Sequence, residues 1–408
     1  MADIETRRRT PVPRGLARTG PVILSYGFRP FFLAAGIWGL AAMALWIVAV
    51  TGVLEIGGSY GSVVWHGHEM LFGYTSAALA GFLLTSVPNW TGRLPVSGMP
   101  LLGLFLLWCA GRAALLGVDV MGLATAVAID AAFMPVLLVV CAREIVAGRK
   151  WNNLKILGGL LALTLANIGY HGCILAGIGP DLPGRAAVAA YVTLIMIIGG
   201  RILPSFTRNW LNKRGEKRLP APYGHVDTAS MILAVAALVA WVALPEHQST
   251  GILALAAALA QGVRLSRWRG WAARSEGLVF ILHLAYGFVV LGLVAIAATA
   301  FGLLDAISSM HVLTVGGIGS MTLAVMSRAT RGHTGLELRA SLVTMVSYGC
   351  ILVAGAVRPL ASILPDAYMQ VLTGTALAWM LAFLFYLAEY ASALTRMRRD
   401  LPQPRSRA

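Results

Sequence analysis

Acidic side chains are scarce in this sequence. Seventeen Asp and Glu stand against 32 Lys and Arg in 408 residues, and charged residues of all kinds make up 12%. Soluble domains carry roughly 25%, so a soluble globular chain is excluded. With so few aspartates near one another, an oxygen-ligand site for calcium or magnesium is disfavoured. Cysteine is scarce too: Cys109, Cys141, Cys173 and Cys350 fall alone in separate apolar runs, with no CxxC. No thiolate metal site is spelled out, and the four read as small buried hydrophobes. Long polar stretches are missing as well, so no soluble domain is expected beside the apolar part.

What is abundant is apolar. Hydrophobic residues make up 58%, glycines number 45, and the mean hydropathy is +0.76. Runs of 20 residues or so match a hydrocarbon core of about 30 Å. Twelve spans are expected, at 31–53, 66–88, 99–117, 120–142, 156–178, 185–203, 226–244, 251–266, 277–301, 306–327, 338–358 and 366–392. Alternating them from an inner N-terminus places all but Arg112, Arg185 and Arg358 of the 32 Lys and Arg on inner tails, loops and adjoining helix ends. Basic residues favour the cytoplasmic side. The expectation is therefore an all-α polytopic membrane bundle with both termini cytoplasmic. A basic tail (1–29) precedes one transmembrane domain (30–392) and a second basic tail (393–408). The first apolar run is too long for a signal peptide and reads as an anchor helix.

The net charge of +15 is spread over the inner tails and loops, including "RRR" at 7–9 and "RMRR" at 396–399. That pattern suits topology and contact with anionic lipid and argues against nucleic acid. One echo runs along the chain: His68 stands as far from Thr91-Gly92 as His311 does from Thr334-Gly335. Two helices of equal length, capped alike, account for it more simply than an old repeat.

Histidine within a span is costly and marks a functional site by default. His66 and His68 open span two, in "WHGHEM", at the outer surface. At 1.5 Å per residue, His171 lies about 10 Å and His311 about 8 Å below that surface, while His283 lies about 10 Å above the inner one. Four histidines from spans two, five and ten thus share a level. Imidazole suits copper, haem iron and zinc, and a haem needs axial histidines against an apolar wall. His66, His68, His171 and His311 are the candidate metal ligands, and His68, His311 and His283 the candidate haem ligands. On an α-helix His66 and His68 point about 200° apart, so they serve two centres, or only one of them is a ligand. Helix capping at the headgroup level is the plain alternative for this trio with Glu69.

Glu69 could orient His66 or ligate directly, and Glu69 and Asp130 are the only candidate proton relays. Asp130, in mid-membrane, is open to proton handling or to an ion pair. Asn167 lies one turn from His171 on the same face. Arg201, Arg208 and Arg328, with Arg93, could bind propionates or another anion through forked hydrogen bonds; they equally satisfy the charge rule. The glycines of spans five, six and ten are expected to let helices pack closely.

"FRPFFL" (28–33), "WHGHEMLFGYTSAALAGFLLTSVPNWTGR" (65–93), "GGRILPSFTRNW" (199–210), "LHLAYGFVVLGL" (282–293) and "MHVLTVGGIGSMTLAVMSRATRGHTG" (310–335) resemble the NnrS family. The resemblance extends over nearly all twelve spans. It implies a multispan protein of the bacterial inner membrane that contains haem, of the b type, and copper. It also implies a link to denitrification and to protection against nitric oxide and nitrosative stress. The family's histidine motifs fall on His66, His68, His171, His283, His311 and His333, without dividing them between haem and copper, and no electron donor is implied. A fold-level likeness to the haem–copper oxidase and nitric oxide reductase superfamily is looser. Three readings follow: a metalloprotein binding or turning over nitric oxide, as an oxidoreductase if an enzyme; a transporter of haem, metal or a small nitrogen compound; and an assembly factor.

Overall fold

A computed structural model describes residues 20–397; the basic clusters at 7–9 and, from 398 on, at the C-terminus lie outside them. Lipid offers the backbone no hydrogen-bond partner, so each crossing segment must close its own bonds as a helix. The described residues form helices and loops, with no strand. Among the described residues, twelve helices are long and apolar enough to cross a membrane: α1 Phe28–Val50, α2 Ser62–Thr91, α3 Met99–Leu116, α4 Leu123–Ala147, α5 Trp151–Leu175, α6 Asp181–Asn212, α7 His225–Ala243, α8 Gln248–Ser266, α9 Gly277–Ala300, α10 Ala306–Thr334, α11 Leu342–Ile363 and α12 Pro365–Thr395. Each expected span has its helix. Several run on past the apolar stretch because their ends are held by loops and neighbouring helices.

The helices are not equivalent. In α2 the most apolar stretch is 83% buried and in α10 72%, against 33% in α1, α4 and α7. Thus α2 and α10 form the centre, with α6 and α9 beside them and the others facing outward. Both central helices share one construction. Each starts as α-helix ending on a histidine, passes through a π-helical segment and resumes as α-helix. The π segments are Glu69–Tyr74 after His68 and Val312–Gly319 after His311. Each helix then stops on a left-handed glycine, Gly92 at φ 76° and Gly335 at φ 77°, which an L side chain would strain.

A π turn is wider than an α turn and recurs at functional sites. Where the two meet, backbone carbonyls lose their regular partners, and here side chains of other helices replace them. Tyr191 of α6 donates to Leu71 O at 2.8 Å, Arg112 of α3 to Phe72 O at 3.1 Å and Trp108 of α3 to Gly73 O at 3.0 Å. The α10 segment is held by close packing instead. A Cβ on Gly316 would stand 2.3 Å from the Phe288 ring, and one on Gly355 of α11 would stand 2.7 Å from the Gly316 Cα. At this contact the glycines do serve close approach.

The bundle closes on itself where α1 meets α12. Arg29 is 2% exposed, and its guanidinium donates to the carbonyls of Ala393, Leu394 and Arg396 at 3.1, 2.9 and 2.8 Å. These are carbonyls the end of a helix leaves unpaired.

Candidate metal centre

His68, Glu69, Asp130 and His171 come together from α2, α4 and α5, each at most 2% exposed. His68 and Glu69 stand where α2 changes from α to π. Asp130 stands just before an interruption of α4 at Ala132. Pro135 explains that break: it lacks an N–H and its ring clashes with the carbonyl four residues back, at Ala131. Gly111 of α3 lets the neighbouring helix in, since a Cβ there would lie 2.7 Å from Asp130 Oδ1.

His171 Nε2–H donates to Asp130 Oδ2 at 2.8 Å. The other ring nitrogen, Nδ1, accepts from the Tyr60 hydroxyl at 3.1 Å. Burial above all, and after it Tyr170 and the carboxylates of Asp130 and Glu69, push the Tyr60 phenol above its usual range, so it keeps its proton to donate. His68 faces acceptors on both sides. Its Nδ1 lies 3.1 Å from Glu69 Oε1, and its Nε2 lies 3.1 Å from Asp130 Oδ2 and 3.0 Å from Asn167 Oδ1.

Arg112 supplies the counter-charge. It pairs with Asp130 Oδ1 through Nη2 and with Glu69 Oε2 through Nε, the latter at 2.8 Å. Trp38 of α1 donates to the same Glu69 oxygen at 2.6 Å. Two carboxylates against one guanidinium leave a single negative charge, which a buried site must neutralise. A proton on His68, whose two ring nitrogens both face acceptors, does so, and a bound cation would take its place.

His68, Asp130 and His171 each offer one ligand atom, all within 4.8 Å of one another. Two imidazoles and a carboxylate suit zinc, copper or iron. An ion held at about 2.0–2.1 Å from each needs ligand atoms a few tenths of an ångström further apart than the 2.8 Å between His171 and Asp130. Entry of a metal would separate them slightly and take over their mutual hydrogen bonds.

The family described as NnrS protein matches residues 22–398 of the chain. The chain belongs to the NnrS family. No curated protein matches it. This NnrS-family chain is thus a multi-pass membrane metalloprotein, with a buried group of two histidines and an aspartate as its metal-binding candidate.

The other residues expected in the site fall elsewhere. His66 points away from His68. Its ring stacks on Trp46 of α1 at 4.5 Å and 16°, and its Nδ1 is buried with no hydrogen-bond partner. His311 and Arg358 lie within electrostatic reach of His66, and His311 Nδ1–H donates to Ile307 O at 2.7 Å. The four level histidines therefore divide into two pairs on opposite faces of α2. His283 lies toward the other end of the bundle, where its Nε2–H donates to Thr207 Oγ1 at 2.8 Å; the threonine spends its own hydrogen on Leu203 O at 2.9 Å.

Arg201 donates to Asn153 Oδ1 and Asn152 O at 3.0 and 3.2 Å, and Arg208 to Pro220 O at 3.0 Å. Arg328 lies on the Phe206 ring at 3.9 Å. Seventeen residues separate His311 from Arg328, about 25 Å along a helix. One cofactor does not touch both.

Tyr60, Trp38 and Arg112 were not singled out as site residues. Only Arg112 had a signal, as an exception to the charge rule. The other two exceptions also have internal partners: Arg185 donates to Val242 O at the end of α7, and Arg358 is 6% exposed beside the His66 and His311 pair.

Proposed function

We propose that the chain is a haem- and copper-containing protein of the bacterial cytoplasmic membrane. In this reading it binds or turns over nitric oxide and so protects against nitrosative stress during denitrification. The carrying observation is the buried His68–His171–Asp130 group, held by Arg112 and Glu69. In this reading copper would occupy it, because imidazole is among its preferred ligands.

The haem reading draws on the other face of α2. His66 Nδ1 is an orphaned buried atom, and His311, with Nδ1–H committed to a carbonyl, keeps Nε2 as a lone pair. The nearby Arg358 suits a propionate. Those three would hold the haem, and His68 and His171 the copper. Bound haem iron and copper supply one-electron and diatomic-ligand chemistry. The protein's part is orientation and protons. Tyr60, His171, Asp130, His68 and Glu69 form one hydrogen-bonded chain from the loop before α2 to the centre, and a proton would travel along it.

Transport draws less support. Broken central helices would serve it, but paired halves are its hallmark, and the two matched helices, α2 and α10, stand eight spans apart rather than six.

The deciding measurement is metal content and optical spectrum of protein purified without oxygen, before and after nitric oxide. Near-stoichiometric iron and copper, with a Soret band that nitric oxide shifts, are expected. His171→Ala should lose copper and keep the Soret band, and His311→Ala should do the reverse. Protein free of both metals would end this reading.

A further inference from the structure

At the end of the bundle opposite the metal centre, α1, α2, α6, α9 and α10 surround a cavity of about 260 Å³. Its walls are mostly apolar and include Phe32, Phe82, Trp90 and Phe206, while Arg328 and His333 bring polarity. A second, almost wholly apolar space of about 70 Å³ adjoins it between α2, α6 and α10, and Phe82, Ile202 and Val325 line both. The two together make a polar chamber with an apolar slot leading from it. Along α2 they extend from Trp90 to Thr75, about 22 Å at 1.5 Å per residue. One leaflet of hydrocarbon is about half of 30 Å, so chamber and slot together span the depth over which an acyl chain lies.

Arg328 is the unusual residue here. Three arginines inside the bundle have carboxylates: Arg112 has Glu69 and Asp130, Arg264 has Asp227 and Arg331 has Glu389; Arg29 has three backbone carbonyls instead, and Arg358 lies near Tyr368 and Asp305. Among the described residues none gives the Arg328 guanidinium a hydrogen bond or an ion pair; its neighbours are the Phe206 ring and, at longer range, Glu276 and Tyr348. A half-buried guanidinium at the mouth of a cavity, without a counter-ion, suits an anion, and a ring face compensates only part of its charge. The missing anion would enter through the chamber.

We propose that chamber and slot bind an anionic phospholipid, its phosphate on Arg328 and one acyl chain along the slot. A guanidinium meets a phosphate with two parallel hydrogen bonds, and basic pockets between membrane helices on the cytoplasmic side take acidic headgroups. The charge distribution predicts that this is the cytoplasmic side. The slot's apolar lining matches the chain as the guanidinium matches the head. This site is separate from the metal centre and does not depend on which metals are bound.

The test is native mass spectrometry on the full chain, delipidated in detergent and titrated in turn with phosphatidylglycerol, phosphatidylcholine and oleate. Phosphatidylglycerol should be held at least tenfold more tightly than phosphatidylcholine, and Arg328→Gln should abolish that difference. Val325→Trp keeps the charge and fills the slot, and it should weaken both phospholipids. Circular dichroism and thermal unfolding show whether each variant remains folded, and either variant alone suffices. Equal retention of the two phospholipids by the unaltered chain would overturn the proposal. So would tighter retention of oleate than of phosphatidylglycerol, or a porphyrin mass lost on Arg328→Gln.

Discussion

A single guanidinium at Arg112 answers two buried carboxylates and a carbonyl freed by the π turn. Removing it should therefore be severe. Arg112→Met leaves Glu69 and Asp130 facing one another without a counter-charge, and breaking a buried ion pair this way costs about 3–5 kcal/mol. Adding Asp130→Asn should restore part of that loss, because Glu69 then stands against a single histidine. Thermal unfolding of the two single variants and the double in detergent gives the coupling; simple additivity would show that the three groups do not act together. Asp130→Asn alone leaves Glu69 and Arg112 balanced, so it should lower bound metal far more than stability. His68 and His171 were legible in the sequence as candidate ligands, since histidine stands out in apolar runs, whereas Asp130 was legible only as a proton relay or an ion-pair partner. Their partners were not. Depth follows from counting residues, whereas the side of the helix that meets a neighbour depends on packing between segments distant in sequence, as with Arg112 and Asp130.

At the scale of the element, the two π segments set what α2 and α10 can present. Nothing in the stretches "EMLFGY" and "VLTVGGIG" marks a π turn locally, because the wider turn is stabilised from elsewhere, by Trp108, Arg112 and Tyr191 in α2 and by packing against Phe288 and Gly355 in α10. The opposed directions of His66 and His68 could still be read, since both lie in the regular turn Ser62–His68. Deleting Met70 should convert the π segment to regular helix and turn His68 by about 100° relative to the rest of α2. Helicity by far-UV circular dichroism should stay and bound metal should be lost; retention of metal would show that the widened turn does not place the ligand. In α10, Gly316→Ala drives a methyl into the Phe288 ring, and such overpacking costs about 1–3 kcal/mol. Pairing it with Phe288→Ala should recover part of the lost unfolding temperature. A second polar core was equally hidden. Arg264, at the end of an expected span, is 1% exposed and joins Asp227 at 3.1 Å and Tyr286 at 2.9 Å, which ties α7, α8 and α9 together.

For the whole molecule, twelve crossings were legible because lipid forces every span to be apolar and helical. The packing order of those spans, with α2 and α10 at the centre, was not, since hydropathy is blind to which apolar face meets protein. Orientation can be tested directly. With the four native cysteines replaced, a membrane-impermeant maleimide applied to whole cells should label Ser249→Cys and spare Glu216→Cys; the reverse labelling would invert the topology. Arg29→Ala should cost about 1.5–3 kcal/mol, the range for hydrogen bonds to a charged group, read as a lower unfolding temperature. That arginine also imposes an order on biogenesis. Helix α1 carries a guanidinium whose carbonyl partners, at Ala393, Leu394 and Arg396, are made more than 360 residues later. Until α12 is made, the growing bundle is an open arc with an unsatisfied charge at its seam, and only that helix can shut it.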